Sequence, residues 1–240
     1  MPHSLPPNAT PASRRLYDLA LRLADACPPE FASEIALVGS AAMGLSDNSS
    51  DLDINFWNET IPPEAERVAW LESLGATDVK VGQMRDDHSH PIAGVIDGID
   101  VGCSWQTFNA LNFFTDLIAG GTIGYDVFLE ILADVLVVAV PLRTNGVIDA
   151  VQSRLAHYPE TYRERRIRQA VSRLDFEYKQ IRKAVRYQDE PTVIMQLAAV
   201  TRELFDLLYP LNRRWYPQAK WRYQLARDLP IQPPNLYARI

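Results

Sequence analysis

Residues 38–54 read Val-Gly-Ser-Ala-Ala-Met-Gly-Leu-Ser-Asp-Asn-Ser-Ser-Asp-Leu-Asp-Ile. The apolar stretch Glu34-Ile-Ala-Leu-Val38 just before it predicts a buried strand. Gly39 then lets the backbone turn sharply, where N–H groups and the Ser40 hydroxyl suit an anion such as a phosphate. A short polar loop leads from there to Asp51 and Asp53. In an extended strand residues i and i+2 share a face, so the two carboxylates point to one side while Leu52 and Ile54 pack behind them. Two like charges between apolar neighbours repel unless a cation offsets them, and two hard oxygen ligands on one rigid edge make a seat for Mg²⁺.

Strand, Gly-Ser turn, loop and Asp-x-Asp strand, in that order and on Gly39, Ser40, Asp51 and Asp53, resemble the signature of the DNA polymerase β-like nucleotidyltransferase superfamily. The resemblance covers roughly residues 34 to 103 and is strongest to the small stand-alone members that adenylylate aminoglycosides and lincosamides. It implies a third carboxylate on a neighbouring strand. The segment Gly94-Val-Ile-Asp-Gly-Ile-Asp100-Val-Gly-Cys103 offers Asp100, set between Ile99 and Val101. Asp97 is the fallback, and since it precedes Gly98 it equally fits a hairpin turn.

The fold implied is an α/β (α+β) core with a mixed sheet, followed by an α-helical C-terminal domain. The chemistry implied is transfer of a nucleoside monophosphate to a hydroxyl of a small molecule, with AMP from ATP as the family default. Asp51, Asp53 and Asp100 would hold Mg²⁺ at a two-ion site, and Gly39 and Ser40 would grip the β- and γ-phosphates with Ser50 assisting. Asp100 would complete the second metal site or take the proton of the attacking hydroxyl. Glu130 is a second candidate base by residue type. Two alternatives stand beside this reading: a toxin-type nucleotidyltransferase acting on tRNA or protein, and a nucleotide-binding protein without turnover.

The chain of 240 residues is 47% hydrophobic, enough to bury one large core or two modest ones. Its two cysteines, Cys27 and Cys103, are too few for a disulfide framework and fit small buried hydrophobes in a reducing cytoplasm. Neither a membrane-spanning apolar run nor a signal pattern is present. Charge divides along the sequence: residues 1–159 carry 8 basic and 21 acidic side chains, and residues 160–240 carry 16 basic and 9 acidic. An acidic half holding metal carboxylates, joined to a basic half, suits neutralisation of a nucleoside triphosphate. Asp47, Glu59, Asp86 and Asp87 are placed to attract a polycationic acceptor. An acidic chain is a poor match to duplex nucleic acid, whereas the basic second half keeps tRNA open.

The organisation expected is a lead over residues 1–12, a nucleotidyltransferase domain over 13–144 and a helical domain over 145–240. Helices are predicted over 13–26, 64–74, 109–119 and 126–133, with strands near 78–82 and within 92–105, and a buried strand over Val135–Val140. Beyond residue 145, apolar stripes predict one long helix over 159–187, a second ending before Pro210, and a last helix over 217–227. The segment Leu211-Asn-Arg-Arg-Trp-Tyr-Pro-Gln-Ala-Lys-Trp-Arg222 gathers four cations and three aromatics. Lys220 is the candidate triphosphate contact, with Arg213 or Arg214 as helpers. Trp215 and Tyr216 suit either stacking on a base or pinning the last helix. His88 and His90, before Pro91, read as loop residues and not as a zinc site.

Overall fold

The computed structural model describes residues 4–82, 89–122 and 127–239. In chain order the elements are α1 (Pro11–Ala26), β1 (Glu34–Val38), α2 (Gly39–Ala42), β2 (Leu52–Asn58), α3 (Glu64–Ser73), β3 (Thr77–Val81), β4 (His90–Ile96), β5 (Ile99–Thr107), α4 (Phe108–Ala119) and α5 (Val127–Val138). They continue as β6 (Val140–Arg143), α6 (Val147–Leu155), α7 (Glu160–Arg186), α8 (Glu190–Leu211), a 3-10 turn Ala219–Trp221, α9 (Arg222–Ala226) and α10 (Leu236–Arg239). The class is α+β, with a mixed six-stranded sheet and a helical later part. Two compact units result: Met1–Asp116 with Val135–Ala156, and Leu117–Asp134 with His157–Ile240.

In the first unit the sheet runs β3-β4-β5-β2-β1-β6, and β2 and β5 are parallel while every other pair is antiparallel. Alternate residues of the central strands go to opposite faces. Ile35, Leu37, Leu52, Ile54, Phe56, Val101, Cys103 and Trp105 enter one core with Leu16, Leu19 and Leu23 of α1 and Trp70 and Leu71 of α3. Phe56 and Trp105, neighbours in the β2–β5 register, stack with centroids 4.3 Å apart, and Trp70 meets each ring edge-on at 5.7 Å. Such geometry adds about 0.5–1.5 kcal/mol per pair beyond the area it buries.

α1 starts at Pro11, two residues before the expected start, because the Thr10 side chain accepts from the Ser13 N–H at 3.0 Å and Pro11 needs no partner for a missing N–H. Glu34 is fully buried, yet its carboxylate accepts from the N–H groups of Asn145, Val147 and Ile148 at 2.6–3.2 Å, anchoring the start of α6. Arg143 donates to the carbonyls of Ala32, Ala24 and Cys27, tying β6 to the end of α1.

Three expectations are corrected. Val135–Val138 closes α5, and the strand begins only at Val140. A short apolar run reads equally as buried helix or buried strand; what settles it is remote, since Gln152 Nε2 donates to the carbonyls of Leu136, Val137 and Ala139 and so ends α5 inside the protein. α8 continues through Pro210 to Leu211, because a proline in the last turn loses little, and Asn212 Nδ2 donates to the Leu208 carbonyl beyond it. The single helix expected over 217–227 is instead a 3-10 turn and the short α9.

The second unit is built on α7 and α8. Asp189 ends the turn after α7 and caps α8, accepting from Thr192 N–H at 3.1 Å with Pro191 in the first turn. Phe205, Leu208, Tyr209, Tyr216, Ala226, Leu229 and Leu236 form its core. Beside it Glu130 and Arg166, each 3% exposed, pair through two hydrogen bonds of 2.8 and 3.3 Å, and Tyr162 donates its hydroxyl to the same carboxylate. Burial nonetheless lifts the Glu130 carboxyl above the usual range, against the pull of Arg166 and Tyr162.

Two outcomes follow. Arg166→Met strands a buried carboxylate and lowers stability by about 3–5 kcal/mol, measurable by urea unfolding. Burial also lifts the Asp134 carboxyl to about 7, with Arg214 opposing. The folded protein then holds a proton that the unfolded chain has released, so stability falls between about pH 4 and pH 7. Asp134→Asn removes that slope: its melting temperature exceeds that of the unaltered chain at pH 8, and the gain disappears at pH 4.

Candidate functional site

Asp53 lies near the start of β2, opposite Val38 of β1 and Gly102 of β5. Its neighbours Leu52 and Ile54 are in the core, so its carboxylate lies on the opposite face of the sheet. Two glycines shape its seat. A Cβ at Gly39 would stand 2.9 Å from Asp53 Oδ2, and one at Gly102 would stand 3.0 Å from Oδ1. Gly39 also takes φ +69°, a left-handed value that turns β1 directly into α2. The carboxylate thus occupies the space that two side chains would have filled.

Asp51 is exposed, two residues before Asp53 and just ahead of β2. Asp100 is exposed on β5, two residues before Gly102 and paired across to Val95 of β4. Strand alternation puts Asp53 and Asp100 at positions of one sheet face, away from the aromatic core, and Asp51 lies just ahead of β2. Asp100 also lines a cleft of about 510 Å³ with Ser50, Arg15, Arg22 and Asp97. Asp97 has φ 53° in the turn that joins β4 to β5 and pairs with Arg22 at 3.2 Å, so it is the hairpin residue and no strand carboxylate.

The loop ahead of β2 is held by its own hydroxyls. Ser40 is buried and its Oγ lies 3.0 Å from Ser46 Oγ; the Ser46 N–H donates to Ser13 Oγ, and Thr10 Oγ1 donates to the Ser46 carbonyl. Ser50 closes a tight turn with Asp47: Asp47 N–H donates to Ser50 Oγ at 2.9 Å, and Ser50 Oγ donates back to Asp47 Oδ1 at 3.1 Å. Both serines therefore position the Gly39 turn and the approach to Asp51.

Mg²⁺ favours oxygen donors and is commonly bound through one or two carboxylates with substrate phosphates completing its shell. Asp51 and Asp53 supply such donors, and the glycine seat gives Asp53 one defined place. Among the described residues no three Asp, Glu, His or Cys side chains gather to hold a metal by themselves.

The remaining residues singled out in the sequence are placed as follows. Arg213, Arg214 and Lys220 are exposed in the second unit. Arg213 pairs with Glu160 at 3.1 Å, and Lys220 Nζ sits 5.9 Å from the Trp221 ring centroid. Trp215 packs on Tyr158 at 4.4 Å and Tyr216 lies under Arg222 at 4.0 Å, both buried, so they serve the packing of the unit. Both Glu130 carboxylate oxygens are engaged, by Arg166 and Tyr162. Asp86, Asp87 and His88 lie outside the described residues, and His90 is in β4, its carbonyl accepting from Arg67. Cys27 and Cys103 are buried thiols; burial pushes Cys27 up to about 11 and Cys103 higher still. Gly102 was not read from the sequence as part of the site, although a glycine inside a strand signals close approach of another group.

A family model described as a domain of unknown function (DUF4037) matches residues 130–222. No curated protein matches the chain. Among solved structures, a nucleotidyltransferase-like protein from Exiguobacterium sibiricum is similar over 90% of this chain and 61% of its own, at 11% identity and a TM-score of 0.41. The Cid1 poly(U) polymerase, in a structure with MgGTP bound, is similar over 52% of this chain and 42% of its own, at 17% identity and a TM-score of 0.32. The chain spans less than two thirds of either protein.

Proposed function

We propose that the chain is a Mg²⁺-dependent nucleotidyltransferase that moves a nucleoside monophosphate, AMP from ATP by the superfamily default, to a hydroxyl of a small acceptor. The observation that carries this reading is the Asp53 carboxylate seated between Gly39 and Gly102, with Asp100 on β5 two residues before Gly102 and Asp51 just ahead of β2. Asp51 and Asp53 would hold Mg²⁺, which when bound offsets charge on the phosphates. The Gly39 turn would offer backbone N–H groups to the triphosphate. Asp100 is the residue to accept the acceptor's proton, being exposed and beside an open cleft. The acidic first part of the chain favours a cationic acceptor of the aminoglycoside kind.

A second reading, nucleotide binding without turnover, is favoured by one observation: among the described residues, no three Asp, Glu, His or Cys side chains gather as a ready metal cluster. Membrane insertion through a helix has no support, since no helix among the described residues is long and apolar enough to cross a bilayer.

Pyrophosphate release from each nucleoside triphosphate, with Mg²⁺ and a panel of aminoglycosides, lincosamides and bulk tRNA, separates these readings. Acceptor-dependent release by the unaltered chain establishes transfer; nucleotide binding with no release for any acceptor establishes the second reading. Asp53→Ala lowers the rate by about a thousandfold or more, because a metal's charge stabilisation is worth several kcal/mol and each 1.4 kcal/mol is tenfold. Gly102→Ala pushes the Asp53 carboxylate aside and raises the Mg²⁺ concentration for half-maximal rate several-fold, while far-UV circular dichroism is unchanged. A Gly102→Ala enzyme with the same Mg²⁺ dependence removes the glycine seat from the account.

A further inference from the structure

The helical unit contains a cavity of about 630 Å³ between α7, α8 and the segment carrying Tyr216 and Arg222. Its walls include two acidic side chains that are almost wholly buried, Glu203 at 1% and Asp206 at 5% exposure. They are three residues apart on α8 and so share a face. Glu203 Oε1 takes Arg202 at 3.1 Å and Arg173 at 3.6 Å, but Glu203 Oε2 has no hydrogen-bond partner. Asp206 Oδ1 has none either, and the hydroxyl of Tyr216, which is 2% exposed, faces the Asp206 carboxylate without a hydrogen bond of normal geometry. Two buried carboxylate oxygens in one pocket are left without partners, which destabilises the chain until a donor is supplied.

What these atoms lack can be read from their chemistry. Both are carboxylate oxygens, which only accept, and the adjacent Tyr216 hydroxyl, kept protonated by burial and by the Asp206 carboxylate it faces, has lone pairs that accept as well. The Arg222 guanidinium carbon sits 4.0 Å from the Tyr216 ring centroid with its Nε–H donated to the Pro217 carbonyl, and Arg166 is engaged by Glu130. The missing group is therefore a compact donor with positive charge, as a primary ammonium is. The rest of the lining narrows the class. Arg173, Arg202 and Arg222 balance Glu177, Glu203 and Asp206, so a polycation meets three guanidiniums and a polyanion meets three carboxylates. Arg173 and Arg202 are 47% and 57% exposed while the orphaned oxygens are buried, which puts cations at the mouth and acceptors inside. Each guanidinium carries five N–H donors, so both keep some after meeting Glu203.

We propose that this cavity binds a small zwitterion, its primary ammonium on Glu203, Asp206 and Tyr216 and its anionic group on Arg173 and Arg202. The site lies wholly within the helical unit and stands without the nucleotidyl-transfer reading. Isothermal titration of the full chain, with no nucleotide or Mg²⁺, tests it directly. The probes are linear ω-amino acids from glycine to 6-aminohexanoate, with pentylamine and pentanoate as the bare ammonium and bare anion. One of the amino acids binds saturably and at least about tenfold more tightly than either single-charge probe. Asp206→Asn and Tyr216→Phe, both close to isosteric, each weaken that binding about tenfold, and Arg173→Ala weakens it while leaving pentylamine unaffected. The Tyr216→Phe variant keeps every charge, so it reports on the pocket even where Asp206→Asn unfolds. Equal binding of pentylamine and the amino acid overturns the zwitterion assignment. Saturable binding of none of the probes, or binding indifferent to both variants, overturns the site.

Discussion

The parallel pairing of β2 with β5 is the constraint on which the first unit turns. It sets Phe56 beside Trp105 on one face and Asp53 beside Gly102 on the other. The first pairing closes the core, with Trp70 completing the aromatic group. The second gives a charged side chain room in the centre of a six-stranded sheet. A one-residue slip between these strands would put a cysteine or valine opposite the aspartate and turn the aromatic stack outward. Core packing therefore fixes the site's geometry, and the register serves both.

Buried charge is treated in two ways in this protein. Glu34 is answered by three backbone N–H groups at the start of α6, and Glu130 by Arg166 and Tyr162. Both act as internal fasteners whose lone pairs are used by the chain itself. Glu203 and Asp206 are different, since each keeps an oxygen without a partner beside an open cavity. Such a group lowers stability on its own and gains most when a ligand supplies the missing donor. The contrast separates carboxylates that hold the fold from those available to a ligand.

Much of the α+β core was legible because its signals are local. Alternation through Leu52-Asp-Ile54, the turn at Gly39 and the Asp97-Gly98 hairpin each depend on a few adjacent residues. What escaped depends on partners distant in sequence. Nothing near Val135–Val138 shows that Gln152 will close α5 there, and nothing near Glu34 shows that it will anchor a helix more than a hundred residues later. Periodicity reads along the chain and gives no sign that Leu117–Asp134 groups with the later helices. For the site, the aspartates could be named from spacing, whereas the role of Gly102 emerges only when β5 is laid beside β2. The Glu203–Asp206 pocket was hidden because one helical face carrying two acids among arginines reads as an ordinary solvated surface.

The proposed function requires the Asp53 seat, completed by a triphosphate, to form a metal site. Binding of Mn²⁺ as a paramagnetic stand-in for Mg²⁺, followed by electron paramagnetic resonance, reads this out. The protein alone is expected to bind Mn²⁺ weakly, to gain strong and stoichiometric binding when a nucleoside triphosphate is added, and to lose that gain in the Asp51→Asn, Asp53→Asn double variant. A gain that survives the double variant would place the metal elsewhere and overturn the assignment.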